Sequence, residues 1–201
     1  MAGETQNYHE TRDPYFQSAD FASTSPITTS ISMVPILRVP ATNLVFPAGY
    51  WLKPGRRWHM VFQLKITTVL TPGNFTFEIR HQTGAAPTDA GGTILATSTA
   101  AAFTASKTNF TAWLHCYIEA RGDATTFVPT ATPLYAYGYL TADGAGALIT
   151  SPNNPILIPQ SANAAVNIDA TLAGTIHVDA KRSGSTAETI VVQDLAVNAM
   201  T

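Results

Sequence analysis

A two-residue alternation of apolar and polar side chains recurs along this chain and restricts the folds open to it. The clearest case is RWHMVFQLKITTVL, residues 57–70, where apolar residues take every second position from Trp58 to Ile66. Successive side chains of a β-strand point to opposite faces, so this spacing gathers the apolar residues on one face. The segment is therefore predicted to be a half-buried strand.

The same alternation returns in several later segments, with Pro and Gly between them. The turn Thr71-Pro72-Gly73-Asn74 is followed by NFTFEIRH, and we expect the two flanking strands to form a hairpin. Further strand segments are ILATST, FTAWLHCYIEAR, PLYAYGYLTAD, AAVNIDATL, GTIHVDAKR and ETIVVQDLAVNAM. No segment has convincing helical periodicity.

About eight or nine strands from Ile31 onward, most with one apolar face, are satisfied by two packed antiparallel sheets and not by a parallel α/β fold. The fold class predicted is all-β, a jelly-roll-like sandwich of two antiparallel sheets. Residues 31–201 are expected to form this single domain, and residues 1–30 an extended N-terminal arm.

The predicted arm has neither helical nor strand periodicity, yet it contains four aromatic residues, Tyr8, Tyr15, Phe16 and Phe21. Solvated tails are usually poor in such residues, because disorder accompanies low hydrophobicity. We therefore expect these four residues to make assembly contacts, with the arm lying along a neighbouring subunit or across its own domain.

The composition favours assembly and disfavours several partners. Only 12% of residues are charged and the formal net charge is -2, so the surface suits packing against copies of itself or a scaffold, and it provides no basic stripe for nucleic acid. No apolar run is long enough to span a membrane, and the polar start is unlike a signal peptide, which predicts a soluble protein made in the cytoplasm. The single cysteine, Cys116, is predicted to be a buried core thiol.

No pattern in the sequence indicates catalysis. The five histidines are dispersed, and the nucleophile, phosphate-loop and dinucleotide motifs are absent, so we predict no catalytic, cofactor-binding or metal-binding residue and no enzyme activity. His59, His115 and His177 each alternate with apolar strand residues, which favours outward-facing or core-edge positions.

Three tyrosines, Tyr135, Tyr137 and Tyr139, occupy alternate positions and share one face of a predicted strand. Two interpretations stay open at this point. The tyrosines form either an exposed recognition strip or the rim of the core, since tyrosine buries its ring and leaves its hydroxyl in water.

The segment GYWLKPGRRWHMVFQLKITTVLTPGNFTFEIRH, with TILATSTAAAF and FTAWLHCYIEARG after it, resembles small virion structural proteins of tailed bacteriophages. The matching features are the W-L-K-P-G-R-x-W pattern from Trp51 to Trp58, the T-P-G turn from Thr71 to Gly73, and Trp113. The resemblance spans roughly residues 49–140 and weakly the end of the chain.

The resemblance implies a protein that is assembled in the host cytoplasm and deposited in many copies on a virion. The first expectation is a capsid decoration or cement protein, a homotrimer that binds the major capsid protein or other virion proteins through its arm and stabilises the head. The alternative is a tail or fibre component that binds a host-surface saccharide through Tyr135, Tyr137 and Tyr139 or the loop from Asp143 to Pro159. Neither alternative involves a cofactor, nucleic acid or a membrane.

Overall fold

Antiparallel pairing of the alternating segments builds two β-sheets. The computed structural model describes residues 14–17, 33–37, 45–84, 90–122, 127–142, 149, 155–159, 164–183 and 188–200, without the side chains of 14–17 and 200. These residues contain a 3-10 helix, Tyr50–Leu52, and thirteen strands. The strands are β1 (Pro14–Gln17), β2 (Val34–Pro35), β3 (Val45–Phe46), β4 (Arg57–Thr67), β5 (Asn74–Thr83), β6 (Thr93–Thr97), β7 (Ala101–Ala102), β8 (Phe110–Ala120), β9 (Thr132–Ala142), β10 (Ile156–Ile158), β11 (Val166–Ile168), β12 (Gly174–Arg182) and β13 (Thr189–Met200).

The larger sheet has the strand order β1-β13-β4-β8-β9-β10, and β11 also pairs with β9. The smaller sheet has the order β2-β12-β5-β6, with β3 also on β12 and β7 also on β5. All these pairings are antiparallel. The predicted all-β, jelly-roll-like sandwich of two antiparallel sheets is confirmed, and the described part of the chain contains no α-helix. From Ile31 onward it contains twelve strands, more than the predicted eight or nine, because strands of two or three residues are too short to show alternation.

The core lies between the sheets, on the apolar faces that the alternation defines. Every second residue of β4 from Trp58 to Ile66 is buried, as are Phe75, Phe77 and Ile79 of β5. Burying such side chains is the main favourable term in folding, at about 25 cal/mol for each Å² of apolar surface. Residues with the opposite parity in β4 are half-buried, apart from the exposed Arg57, so the period-two pattern assigned this strand's faces correctly.

The predicted hairpin is wrong, because β4 and β5 belong to different sheets. The turn around Pro72 carries the chain from the larger sheet to the smaller one. Contacts with distant segments hold this crossing in place: Thr68 N–H donates to the Lys107 carbonyl at 2.8 Å, and Ser106 N–H donates to the Val69 carbonyl at 2.9 Å. Turn-forming residues such as Pro72 and Gly73 indicate that the chain changes direction, but they do not determine whether the two flanking strands pair with each other.

A buried ion pair secures the same crossing. Arg182, at the end of β12, donates to the Glu188 carboxylate just before β13, and both side chains are at most 1% exposed. The other oxygen of Glu188 accepts the Gly73 N–H at 2.8 Å. Glu188 therefore ties together the β4–β5 turn and the β12–β13 connection, both of which pass between the sheets.

An aromatic cluster fills the core where β4 begins. The Trp51 and Trp58 rings each lie against Phe46, with centroids 5.4 and 5.7 Å away, and the Trp58 indole N–H donates to the Tyr50 hydroxyl at 2.9 Å. Aromatic contacts of this kind add about 0.5–1.5 kcal/mol beyond the area that they bury. The W-L-K-P-G-R-x-W pattern thus places two buried tryptophans around a turn, residues 53–56, which is exposed except at the half-buried Arg56.

The predicted core thiol is confirmed, because Cys116 is fully buried on the inner face of β8 and burial raises the pKa of its thiol. A helix able to cross a membrane is not found in the described part of the chain.

Replacing Glu188 by alanine should lower the free energy of unfolding by about 3 kcal/mol, because the Arg182 guanidinium would stay buried without this carboxylate. Urea unfolding followed by tryptophan fluorescence measures the loss. Lys181→Ala, at the exposed neighbour of Arg182, is the matched control and should cost less than about 0.5 kcal/mol. Equal stability of the two variants would contradict this role for Glu188.

Candidate functional site on the larger sheet

The outer face of the larger sheet brings aromatic side chains from β4, β8 and β9 together. The strand register places His59 opposite Tyr117 and Tyr117 opposite Tyr137, in one row across three strands. The adjacent row places His115 opposite Tyr139. We call six neighbouring side chains of this face the aromatic strip: His59, His115, Tyr117, Tyr135, Tyr137 and Tyr139.

The rings of the first row stack on one another. His59 and Tyr117 have centroids 4.2 Å apart with planes at 5°, and Tyr117 and Tyr137 have centroids 5.0 Å apart with planes at 11°. Side chains stand roughly perpendicular to a sheet, so stacked rings turn their edges and polar tips to the solvent. The row therefore presents hydroxyl and imidazole groups outwards, and its ring faces are used mainly in contacts with each other.

Tyr137 ends this row and has the most accessible ring of the strip. Its residue is 36% exposed, whereas the other strip residues are half-buried. β10 pairs with β9 from Gly138 to Leu140 and β11 pairs with β9 from Thr132 to Leu134, so neither strand pairs with Tyr137. One face of the ring packs on Tyr117, and the exposed fraction shows that part of the ring is open to solvent.

The two histidines of the strip touch each other. His59 Nε2 lies 3.3 Å from His115 Nδ1, and the ring centroids are 5.5 Å apart with planes at 19°. The centroid separation exceeds the nitrogen separation by about two ring radii, so the rings meet edge to edge. This geometry fits a hydrogen bond in which one imidazole donates and the other accepts.

Burial lowers the pKa of His59 and His115, and the charge of His115 lowers the pKa of His59 further. The neutral form of both imidazoles therefore predominates at pH 7. Burial, followed by a hydrogen bond with Tyr139, raises the pKa of Tyr117 to about 12. The strip consequently offers neutral hydrogen-bonding groups over its whole centre.

Charged residues border the strip on the Tyr135 side. Glu119 is bound by two arginines: Arg57 Nη2 lies 2.7 Å from Oε1, and Arg121 Nη2 lies 2.6 Å from Oε2. The Arg121 guanidinium also lies over the Tyr135 ring, 5.2 Å from its centroid. Burial raises the pKa of Glu119, but the hydrogen bonds from Arg121 and Arg57 outweigh it, so the pKa is lowered overall.

A second charged cluster lies on the smaller sheet and is closed to solvent. Arg80 contacts Glu78 at 2.5 Å and Asp179 at 3.3 Å, and His177 Nε2 lies 3.3 Å from Asp179. The Arg80 Nη1 group also donates to the Ala90 carbonyl at 2.8 Å. Burial, followed by the charges of Arg80 and His81, lowers the pKa of His177 to about 4. These contacts bind the loop before β6 to the sheet.

The structure places the predicted site residues as follows. Tyr135, Tyr137 and Tyr139 face outwards from the sheet, so they do not belong to the core. Tyr15 and Phe16 lie in β1, whose backbone pairs with β13 of the same chain, whereas Tyr8 and Phe21 lie outside the described residues.

Sequence reasoning missed three members of the strip, His59, His115 and Tyr117. His59 and His115 come together, and His177 lies in the other sheet. The sequence does show that all three occupy the outward-facing alternate positions of their strands, His59 on β4 and His115 and Tyr117 on β8. Only the pairing of β4 with β8 and of β8 with β9 brings these positions beside the tyrosines.

No protein-family model matches the chain, and no curated protein matches it. Solved structures of similar fold include peanut lectin with a 9mer peptide, at 11% identity over 92% of this chain and 96% of that one, with a TM-score of 0.42. Lectin I from Ulex europaeus, in complex with the methyl glycoside of α-L-fucose, has 9% identity over 86% and 78% of the two chains and a TM-score of 0.34.

A third similar structure is the CBM2 module of the evolved Dit of Lactobacillus casei BL23 phage J-1. It has 11% identity, covers 77% of this chain and 66% of that one, and has a TM-score of 0.29. Likenesses at these values assign neither a ligand nor a function to this chain.

Replacing His115 by glutamine should raise the pKa of His59, because the substitution removes the imidazole whose charge opposes protonation of its neighbour. The pKa should remain below 6.5, since burial is the larger cause and persists. NMR titration of the His59 ring measures the change. Trp113→Phe, on the same face of β8, is the control and should leave that pKa unchanged. An unaltered His59 titration in the glutamine variant would show that the pair is not electrostatically coupled.

Proposed function

We propose that this chain is a non-enzymatic carbohydrate-binding protein of a virion and that the aromatic strip holds the saccharide. The observation that carries the proposal is the row His59, Tyr117 and Tyr137, whose rings stack on one another and which ends in an exposed tyrosine. This is the tail or fibre alternative that the sequence left open, with its tyrosines placed on an outer sheet face.

The strip matches the two kinds of surface that a pyranose presents. The C–H groups on one face of the sugar pack against an aromatic ring, and Tyr137 offers such a ring. The sugar hydroxyls need donors and acceptors, and the neighbouring row provides the Tyr139 hydroxyl and the His115 imidazole. Because sheet residues and cross-strand stacking fix these groups, little conformational entropy is lost when a ligand binds.

The charged border of the strip supports binding without hydrolysis. A glycosidase needs one carboxylic acid that is protonated near neutral pH and a second carboxylate about 5–10 Å away. Glu119 is the carboxylate in line with the strip, and its two arginine partners lower its pKa and keep it ionised. Glu119 is therefore a poor general acid, and its position suits a structural or ligand-orienting role.

A virion supplies many copies of such a site on one particle. An exposed sheet face gives each copy modest affinity, and simultaneous contacts multiply it. The homotrimer, the location on a virion and the attachment to other virion proteins remain predictions, which rest on the sparse charges and on the resemblance of residues 49–140 to phage virion proteins.

Tyr137→Ala should weaken saccharide binding about tenfold or more, because the ring supplies the accessible stacking surface. The ligand is found with a multivalent glycan array bearing bacterial envelope saccharides, and the variant is compared by biolayer interferometry. Leu70→Ala removes another exposed apolar side chain, away from the strip, and serves as the control. Two results would reject the proposal: an array that retains no glycan, or a Tyr137 variant that binds like the wild type.

Capsid decoration is the second candidate, favoured by the 12% share of charged residues, which suits a surface that is largely covered in an assembly. Its predicted mechanism requires the arm to contact neighbouring capsid subunits. The four arm residues that the structure describes, Pro14–Gln17, instead extend the larger sheet of their own chain. These four residues therefore pair within their own chain, which supports carbohydrate binding over the arm mechanism.

A variant lacking residues 1–30 separates these two candidates. It should remain folded, since β1 adds only a short strand to the edge of β13, and circular dichroism checks this. If the protein is a cement, the variant should lose attachment to purified capsids. If it binds a saccharide through the strip, glycan binding should be unchanged. Attachment to capsids without residues 1–30 would contradict the arm mechanism.

A further inference from the structure

We propose that the saccharide held by the aromatic strip is acidic: its sugar ring packs on Tyr137, and its carboxylate binds Arg121 and Arg57. This inference rests on the proposed function and specifies the class of ligand. It draws on a different feature of the sheet, the arginine pair beside Tyr135.

The strand register places the arginine pair next to the open ring. Arg57, Glu119 and Tyr135 form one row across β4, β8 and β9. The row that ends in Tyr137 lies two residues away from it on each strand. Two residues span about 7 Å along an antiparallel strand. In uronic and sialic acids the carboxylate is bonded directly to a ring carbon, so a sugar beside Tyr137 can direct its carboxylate towards Arg121.

The arginine pair has unused capacity for an anion. A single carboxylate, that of Glu119, is shared by two guanidinium groups, which leaves this triad with a charge of +1. The Arg57 and Arg121 side chains are 52% and 49% exposed, whereas the Glu119 side chain is 6% exposed. Solvent therefore reaches the arginines and not their shared carboxylate, and an arriving carboxylate finds guanidinium donors suited to bidentate hydrogen bonds.

The neighbouring turn adds more positive charge to this corner. Gly55 N–H donates to the Ala120 carbonyl at 2.8 Å, and Ala120 N–H donates to the Arg56 carbonyl at 2.9 Å, so residues 53–56 lie beside the end of β8. The turn carries Lys53 and Arg56, and the Arg56 guanidinium stacks over the Tyr50 ring at 4.5 Å. The chain as a whole has a net charge of -2, whereas the described residues at this corner carry an excess of positive charge, which attracts acidic ligands.

The test compares saccharides that differ in the carboxylate alone. The probes are trigalacturonic acid with its carboxyl-reduced form, galactotriose, and sialyllactose with its own carboxyl-reduced form, each measured on the full-length protein by biolayer interferometry. For at least one pair, the acidic member should bind about tenfold or more tightly, and added salt should reduce this preference because the contact is ionic.

Variants assign the preference to the arginines. Arg121→Gln and Arg57→Gln should each lower the affinity for the acidic sugar towards that for its neutral counterpart. Arg121→Lys should have an affinity between those of the wild type and Arg121→Gln, because lysine keeps the charge but lacks the planar guanidinium. Lys181→Gln, an exposed cation on the other sheet, is the matched control and should retain the full preference. Thermal unfolding of each variant confirms that the fold is intact.

The outcomes distinguish a failure of this inference from a failure of the proposed function. If acidic and neutral sugars bind equally well and Tyr137→Ala abolishes both, carbohydrate binding stands and the acidic class is wrong. If acidic sugars bind but the arginine variants keep the preference, the carboxylate is bound elsewhere and the assignment to Arg121 and Arg57 fails. If no probe and no array glycan binds, the proposed function fails as well.

Discussion

The burial of one face of each sheet against the other is the constraint on which the rest of this structure depends. In β4, β8 and β9 the even-numbered residues from 58 to 66, 112 to 120 and 134 to 140 are buried, so the intervening odd-numbered residues must face outwards. A slip of one residue in any pairing would turn an apolar row towards water and a polar row into the core. The cost of such a slip fixes the register, and the fixed register aligns the stacked rings of the strip.

The two ends of β4 are held by different interactions, with different consequences for the surface. At its start, the cluster of Phe46, Trp51 and Trp58 lies beside the turn that carries Lys53 and Arg56, so buried aromatic contacts help to position these two cations. Beyond its end, the Arg182–Glu188 pair holds the crossing to the smaller sheet. The crossing needs this support because its peptide groups leave the hydrogen-bonding pattern of one sheet before joining the other.

The candidate site consists of neutral polar tips at its centre and arginines at its border. Most ring faces within the strip are covered by stacking on neighbouring rings. Tyr137 is the exposed member of the strip, so it offers the ring for an apolar contact with a ligand in the proposed function. The histidine pair keeps the centre uncharged at neutral pH, since burial disfavours the imidazolium form. Under the proposed function, a sheet face with an exposed ring suits a long, repetitive saccharide better than a small molecule that needs enclosure.

The sequence by itself determined the all-β class, the inward and outward faces of the long strands, the buried state of Cys116 and the shared face of Tyr135, Tyr137 and Tyr139. These features follow from local periodicity, because a strand shows its two faces in its own residues. Tertiary structure alone decided that β4 and β5 lie in different sheets, that His59 and His115 meet, and that Arg57 and Arg121 share Glu119. Each of these depends on which strands pair and in what register, and that choice is made by the packing of the whole core.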